Sequence, residues 1–137
     1  IQFRRSDVAD VDFDKKDQME KIQSLVIDGE TLYAVYDMKG GGTGFMGITD
    51  MRLIFMDESF FRKSKALVAV PFTKITAVGV EDTGRALNPF GATSKLFITA
   101  EAREWEFEFR SNEKAHRAYR LIMSNLLQNE RRGLLKV

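Results

Sequence analysis

Apolar residues along this chain keep three rhythms in turn. Between residues 14 and 28, Met19, Ile22, Leu25 and Val26 fall on one face at helical spacing, which predicts a helix over about 15–28. Asp14 or Asp17 is placed to cap its start and Gly29 to end it. From Thr31 the rhythm shortens to strand-like segments: "TLYAVYDM", then "FMGIT" and "MRLIFMD" with Thr49 and Asp50 as a short hairpin connection, "ALVAVPF", "KITAVGVED", "SKLFITA" and "EWEFEFR". Pro71 belongs at a strand end, because proline cannot donate to a central ladder. The last segment alternates most cleanly, with Trp105, Phe107 and Phe109 set against Glu104, Glu106, Glu108 and Arg110. That is the pattern of a strand buried on one side and wet on the other. Past Phe109 the helical period returns. Ala115, Ala118, Tyr119, Ile122 and Leu126 form one stripe of a helix over about 112–130, with Ser111 as N-cap, Glu113 in the positive first turn, Arg131 and Arg132 at the negative end, and Gly133 as a stop.

The order is therefore helix, seven short strands over about 31–110, helix, with a polar arm at residues 1–13 and a basic tail at 131–137. Even strand spacing with no helix between strands argues for antiparallel pairing. The expected class is mainly β with flanking helices (α+β): a partly open seven-stranded antiparallel barrel or sandwich whose open end the C-terminal amphipathic helix caps, with an extra helix before it. The domain is expected to span 14–130.

Composition narrows the function. With 137 residues, 44% apolar content and 11 phenylalanines, the chain can fill a core, which argues against a hollow barrel built to hold a small ligand. No apolar run approaches the length of a membrane-crossing helix. The first residues are polar and acidic, unlike a secretory leader, and the start at Ile1 suggests a trimmed chain. The absence of cysteine excludes disulfides, thiolate metal sites and cysteine nucleophiles, and fits a cytoplasmic setting, the inner face of the membrane included. Net charge is +1, acidic residues dominating before Thr31 and basic ones after Ser111, without the basic stripe of a nucleic-acid binder.

Several words of the sequence resemble the bacterial pleckstrin-homology domains and the related GRAM domains. Thr49-Asp50-Met51-Arg52-Leu53-Ile54-Phe55 matches the family's "T-N/D-x-R-L-I" hairpin, and Val70-Pro71-Phe72-Thr73-Lys74-Ile75-Thr76-Ala77-Val78 its "V/I-P-F/L-x-x-I-x-x-V" segment. "EKIQSLVIDGETLYAVY" is similar to the family's opening, where a helix leads into strand one. The resemblance covers residues 17 to 128. It implies seven strands closed by a C-terminal helix, a non-catalytic binding role without a cofactor, and self-association as a common habit. It also implies that the loop after the first strand, where phosphoinositides bind in other pleckstrin-homology folds, lies at the same end as "DESFFRKSK".

Candidate chemistry is sparse. His116 is the only histidine; it falls one step off the apolar stripe and reads as a boundary or solvated residue around which no triad or histidine-rich metal site can be assembled. Glu104, Glu106 and Glu108 share a strand face, ordinarily a wet sheet surface or a partner for basic residues. "GGGTG" at 40–44 lacks the Gly-Lys-Ser/Thr and following helix of a phosphate loop, and Lys39 is its lone cation. Arg52 is expected to pair with a neighbouring carboxylate. Phe60 and Phe61 beside Arg62, Lys63 and Lys65 supply apolar anchors and positive charge, suited to a protein partner or an anionic lipid surface. Leu53 and Phe55 on one strand face with Ile54 and Met56 on the other suggest a strand covered on both sides, by the core and by another subunit. The expected function is a binding and assembly module without catalytic, cofactor or metal residues. It would act through protein contact and self-association, with anionic membrane binding through 58–65 as the alternative. Candidate contact residues are Lys39, Phe60, Phe61, Arg62, Lys63 and Lys65.

Overall fold

A computed structural model describes residues 10–38, 44–57, 66–83 and 93–135. The chain divides after Ala69 into two compact units.

The first sheet has the order β1-β2-β3-β4-β5, formed by Asp12–Phe13, Leu32–Asp37, Phe45–Thr49, Arg52–Asp57 and Ala66–Pro71, the last running two residues past the division, with helix α1 at Lys16–Gln23. β2, β3 and β4 run antiparallel, Val35 facing Gly47 and Gly47 facing Ile54. Every residue of β3 is buried. On one face Met19, Ile22 and Val26 cluster with Val11, Leu32, Val35, Phe45 and Ile54, and Met56 packs beside them. Gly47 sets how closely the helix approaches: a Cβ there would stand 2.5 Å from Ile22 Cγ2. Both faces of β4 are therefore apolar because the chain itself covers them. Leu53, Ile54 and Phe55 are buried, and α1 supplies the cover that the sequence suggested a second subunit would provide.

Three boundaries differ from expectation. β1, at the end of the expected arm, runs parallel to β2 and makes eight strands among the described residues. Asp12 accepts a hydrogen bond from the Tyr36 hydroxyl at 2.8 Å and Asp14 accepts one from the Asp37 amide at 2.9 Å, so polar side chains hold this strand where apolar periodicity gives no sign of it. Helix α1 ends at Gln23, because the Leu25 and Val26 amides turn back to Ile22 and Gln23 in the tighter three-residue pattern. Neither Asp14 nor Asp17 caps it; the N-cap is Lys15, with no side-chain bond. Gly29 adopts φ +88°, a left-handed turn that glycine tolerates and that carries the chain into β2.

The second unit contains a short 3-10 turn at Phe72–Lys74, an antiparallel sheet in the order β6-β7-β8 formed by Ile75–Thr83, Thr93–Ala100 and Arg103–Phe109, and helix α2 at Asn112–Leu135. Phe72, Leu96, Ile98, Phe107 and Phe109 meet Ala115, Ala118 and Ile122 in its core. Trp105 is half-buried under Arg103, whose guanidinium lies 3.7 Å from the ring centre. The Lys114 amide reaches Ser111 Oγ at 3.4 Å, the expected cap. α2 continues through Gly133 to Leu135, past its predicted stop. Asn125 takes the next core position after Ile122, its amide bonded to the Leu121 carbonyl at 2.8 Å, and leaves Leu126 half-buried. All seven expected strands are present; hydrogen bonding sorts the described strands into two sheets, with Pro71 at a strand end as expected.

Candidate functional site

The Thr-Asp-x-Arg word folds into a structural node. Arg52 Nε lies 2.8 Å from Glu30 Oε2, and Arg52 Nη2 donates to Glu30 Oε1 at 3.1 Å and to the Leu25 carbonyl at 2.9 Å. Thr49 donates its hydroxyl proton to Glu30 at 2.7 Å and accepts the Met51 and Arg52 amides, both at 3.0 Å. Asp50 accepts from the Thr31 amide at 2.9 Å. The hairpin is thereby tied to the connection between α1 and β2. The Glu30 side chain has no exposed surface. Burial alone would push its carboxyl upward; the hydrogen bonds from Arg52, Thr49 and the Ile27 amide, with the charge of Arg52, outweigh it and hold the carboxyl below its ordinary value. The hydrogen bond to Glu30 raises the Arg52 guanidinium in turn. This is the carboxylate partnership expected of Arg52, and with Nε and Nη2 engaged inside the chain it works as a clasp.

Among the described residues of the second unit, two clefts bear on function. One, of about 430 Å³, is lined by Asp82, Asn112, Glu113, His116, Arg117 and Arg120. His116 Nε2 lies 3.1 Å from Asp82 Oδ1, and the fully buried Ser94 hydroxyl bonds to the same oxygen. Asn112 stands 2.6 Å from Ser94 on the other side. Serine, aspartate and histidine thus meet in an order that cannot activate the serine. The carboxylate stands between the hydroxyl and the imidazole, so the imidazole has no path to the hydroxyl proton. The arrangement instead pins the end of β6 to the start of α2. Sequence reasoning placed His116 correctly at a solvent boundary but missed its partner.

The second cleft, of about 540 Å³, runs between the start of β6 and the C-terminal half of α2, past Ile75, Val78, Met123, Leu126 and Leu127. Leu127 is 56% exposed. The glutamate row of β8 serves its own sheet: Glu106 lies 3.8 Å from Lys95 and Glu108 accepts the Thr93 hydroxyl at 3.0 Å. Lys39, Phe60, Phe61, Arg62, Lys63 and Lys65 lie outside the described residues, and so does most of the "GGGTG" word.

Two sheets and a long C-terminal helix against the second of them define a pleckstrin-homology-like fold. The family model described as bacterial PH domain matches residues 25–124, so the chain belongs to the bacterial pleckstrin-homology domain family. It is 26% identical over 90 residues to the uncharacterized protein YozO of Bacillus subtilis, covering 66% of this chain and 73% of that protein. Among solved structures, it resembles a PH domain containing protein from Exiguobacterium sibiricum with a TM-score of 0.63, at 17% identity over 93% of this chain and 69% of the other. A DUF1696 family protein with a pleckstrin-homology domain from Shewanella loihica gives 0.58, at 20% identity over 82% and 93% of the two chains. A pleckstrin homology domain from Shewanella amazonensis gives 0.50, at 20% identity over 69% and 82%.

Proposed function

We propose that this domain is a non-catalytic binding and assembly module that works through contact with protein, copies of itself included. The observation that carries this reading is the apolar cleft beside β6 and α2, where Leu127 stands 56% exposed within reach of solvent. An apolar strip with Thr76, Asn129 and Glu130 around it has the composition of a protein contact, an apolar centre inside a polar rim. Membership of a family that generally serves as binding modules supports the non-catalytic part. Light scattering of the purified chain across a wide concentration range tests the reading. Association that Leu127→Asp weakens is the expected result; a strict monomer at every concentration would remove self-association.

A second reading rests on the word "FFRKSK": Phe60 and Phe61 entering the interface of an anionic membrane, with Arg62, Lys63 and Lys65 on the headgroups and Lys39 as a further candidate cation. Each cation near an anionic leaflet contributes about 1 kcal/mol. No described helix is long and apolar enough to cross a membrane, so this association would be peripheral, at the cytoplasmic face. Sedimentation with phosphatidylserine or phosphoinositide vesicles at low salt tests it. A chain that stays in the supernatant, or an Arg62→Glu/Lys63→Glu variant that sediments as well as the parent, sinks the lipid reading.

A further inference from the structure

We propose that Ile27 and Met51 form a docking patch for a second copy of this chain, and that the segment Phe60–Lys65 of that copy fills it. The proposal deepens the self-association reading and rests on it. Among the described residues, Ile27 and Met51 are the two most exposed large apolar side chains of the first unit, at 57% and 51%. Far apart in sequence, they converge on one anchor. The Ile27 amide donates to Glu30 Oε1 at 3.1 Å. The Met51 amide donates to Thr49 Oγ1, which itself donates to Glu30 Oε2 at 2.7 Å. Arg52, next to Met51, closes the clasp. Two apolar side chains are thus presented to solvent on backbone that a buried ion pair holds in place, so a contact there has little left to order.

Charge selects the partner. Over residues 10–38, 44–57 and 66–69 of the first unit, ten Asp and Glu stand against four Lys and Arg, and one of the four, Arg52, is engaged by Glu30. Asp28 and Asp50 adjoin Ile27 and Met51 in the chain, and Asp28 is exposed. An apolar patch in an acidic field disfavours an anionic membrane and favours a segment that is apolar and cationic together. The chain carries such a word itself: Phe60 and Phe61, then Arg62, Lys63 and Lys65, with no acid among them. Phenylalanine and arginine are among the residue types that enrich the centres of protein contacts.

Reach assigns the contact to a neighbouring copy. The word lies in the connection 58–65, between β4, which ends at Asp57, and β5, which begins at Ala66. β4 and β5 are neighbours in the sheet, and a connection of that length is too short for a parallel crossover. Both of its anchors therefore stand at the end of the sheet away from Met51. From Asp57 back to Met51 the strand runs about 20 Å. Phe61 is four residues from Asp57 and is tethered within about 14 Å of it. The patch and the anchors of the word belong to opposite ends of the first sheet, so each is offered to another copy.

Complementation tests the contact. Ile27→Asp/Met51→Asp removes the patch and keeps the word; Arg62→Glu/Lys63→Glu reverses the charge of the word and keeps the patch. Each is expected to weaken association about tenfold by light scattering. Mixed in equal amounts, the two variants are expected to pair, because each supplies the half that the other lacks. Circular dichroism checks that each variant folds. The absence of native cysteine allows a second measurement. Met51→Cys copies mixed with size-tagged Ser64→Cys copies under mild oxidation are expected to give the mixed disulfide in excess of either like pair. A parent chain that is strictly monomeric at every concentration, whether or not it sediments with anionic vesicles, overturns both this contact and the self-association reading. Association that Leu127→Asp weakens and the patch variant does not, a variant mixture that stays monomeric, or like disulfides in place of mixed ones overturns this contact alone.

Discussion

Glu30–Arg52 in the first unit and Asp82–His116 in the second are contacts between a carboxylate and a nitrogen-bearing side chain of nearly equal length, 2.8 and 3.1 Å. They do different work because their surroundings differ. Glu30 is wholly enclosed and receives hydrogen bonds from Arg52, Thr49 and the Ile27 amide. Asp82 and His116 keep 30% and 46% of their side-chain surface in solvent. Enclosure makes loss of a partner costly, since the charge left behind has no water to turn to; exposure makes it cheap. Contact distance alone does not rank the two, and the variants below separate them.

Arg52→Ala has the largest expected effect, a loss of about 3–5 kcal/mol, because it strands the Glu30 carboxylate in a closed site. Thr49→Val, which removes one donor to Glu30 and the acceptor of two amides, costs about 1–3 kcal/mol. Chemical denaturation measures both; an Arg52→Ala chain as stable as the parent would show that water reaches Glu30 after all. The same pair predicts an acid response. The folded Glu30 carboxyl lies below its ordinary value of 4.5, so the folded state binds this proton less readily than the unfolded chain. The stability it contributes is complete above the unfolded value and is lost as pH falls through the folded one. Melting temperature should therefore fall from about pH 4.5 downward, and more shallowly in an Arg52→Ala chain, where the carboxyl loses what holds it down.

Gly47→Ala tests the cover that α1 gives the first sheet. The new Cβ meets Ile22 Cγ2, part of a fully buried side chain, so helix or strand must move at a cost of about 1–3 kcal/mol. An unchanged stability would mean that α1 sits loosely on β3.

The two contacts were not equally legible in the sequence. Arg52 sits in a recognisable hairpin word, and a strand-start arginine asks for a carboxylate nearby. His116 and Asp82 are separated by thirty-four positions; the pairing of β6 with β7 and the seating of α2 bring them together, and neither leaves a local mark. Period two and period 3.6 located every long element, since burying one face demands them. What they missed is held by other means: β1 by the Asp12 and Asp14 side chains, and the turn between β7 and β8 by backbone geometry. The apolar word "RLIFM" was read correctly as covered on both faces. Its cover was misassigned because the same pattern arises whether the second face meets a subunit or the chain's own helix. The residues expected to touch a partner, from Phe60 to Lys65, lie outside the described part and are tested only in solution.

That β7–β8 turn supplies a smaller effect of opposite sign. Glu101 and Ala102 have φ of +51° and +64°, the left-handed region that favours glycine and asparagine. Glu101→Asn with Ala102→Gly suits the turn and should raise stability by up to about 1 kcal/mol. It also removes the carboxylate 3.3 Å from Lys74, an exposed contact of little weight. A destabilised double variant would show that this contact outweighs the turn.

The smallest effect is expected from His116→Ala. The imidazole touches Asp82 at the surface, and an exposed pair of this kind contributes about 0–1 kcal/mol. Asp82 keeps the Ser94 hydroxyl as a donor when the imidazole is gone, so its carboxylate is not stranded as Glu30 would be. Asp82→Ala should cost more than His116→Ala for the same reason, because it leaves the fully buried Ser94 hydroxyl with Asn112 alone. The comparison between the units therefore turns on an inequality measurable in one set of denaturation curves. Arg52→Ala should exceed Asp82→Ala, and Asp82→Ala should exceed His116→Ala. If His116→Ala proved as damaging as Arg52→Ala, enclosure would not be what distinguishes the two contacts, and the end of β6 would depend on the histidine far more than its exposure implies.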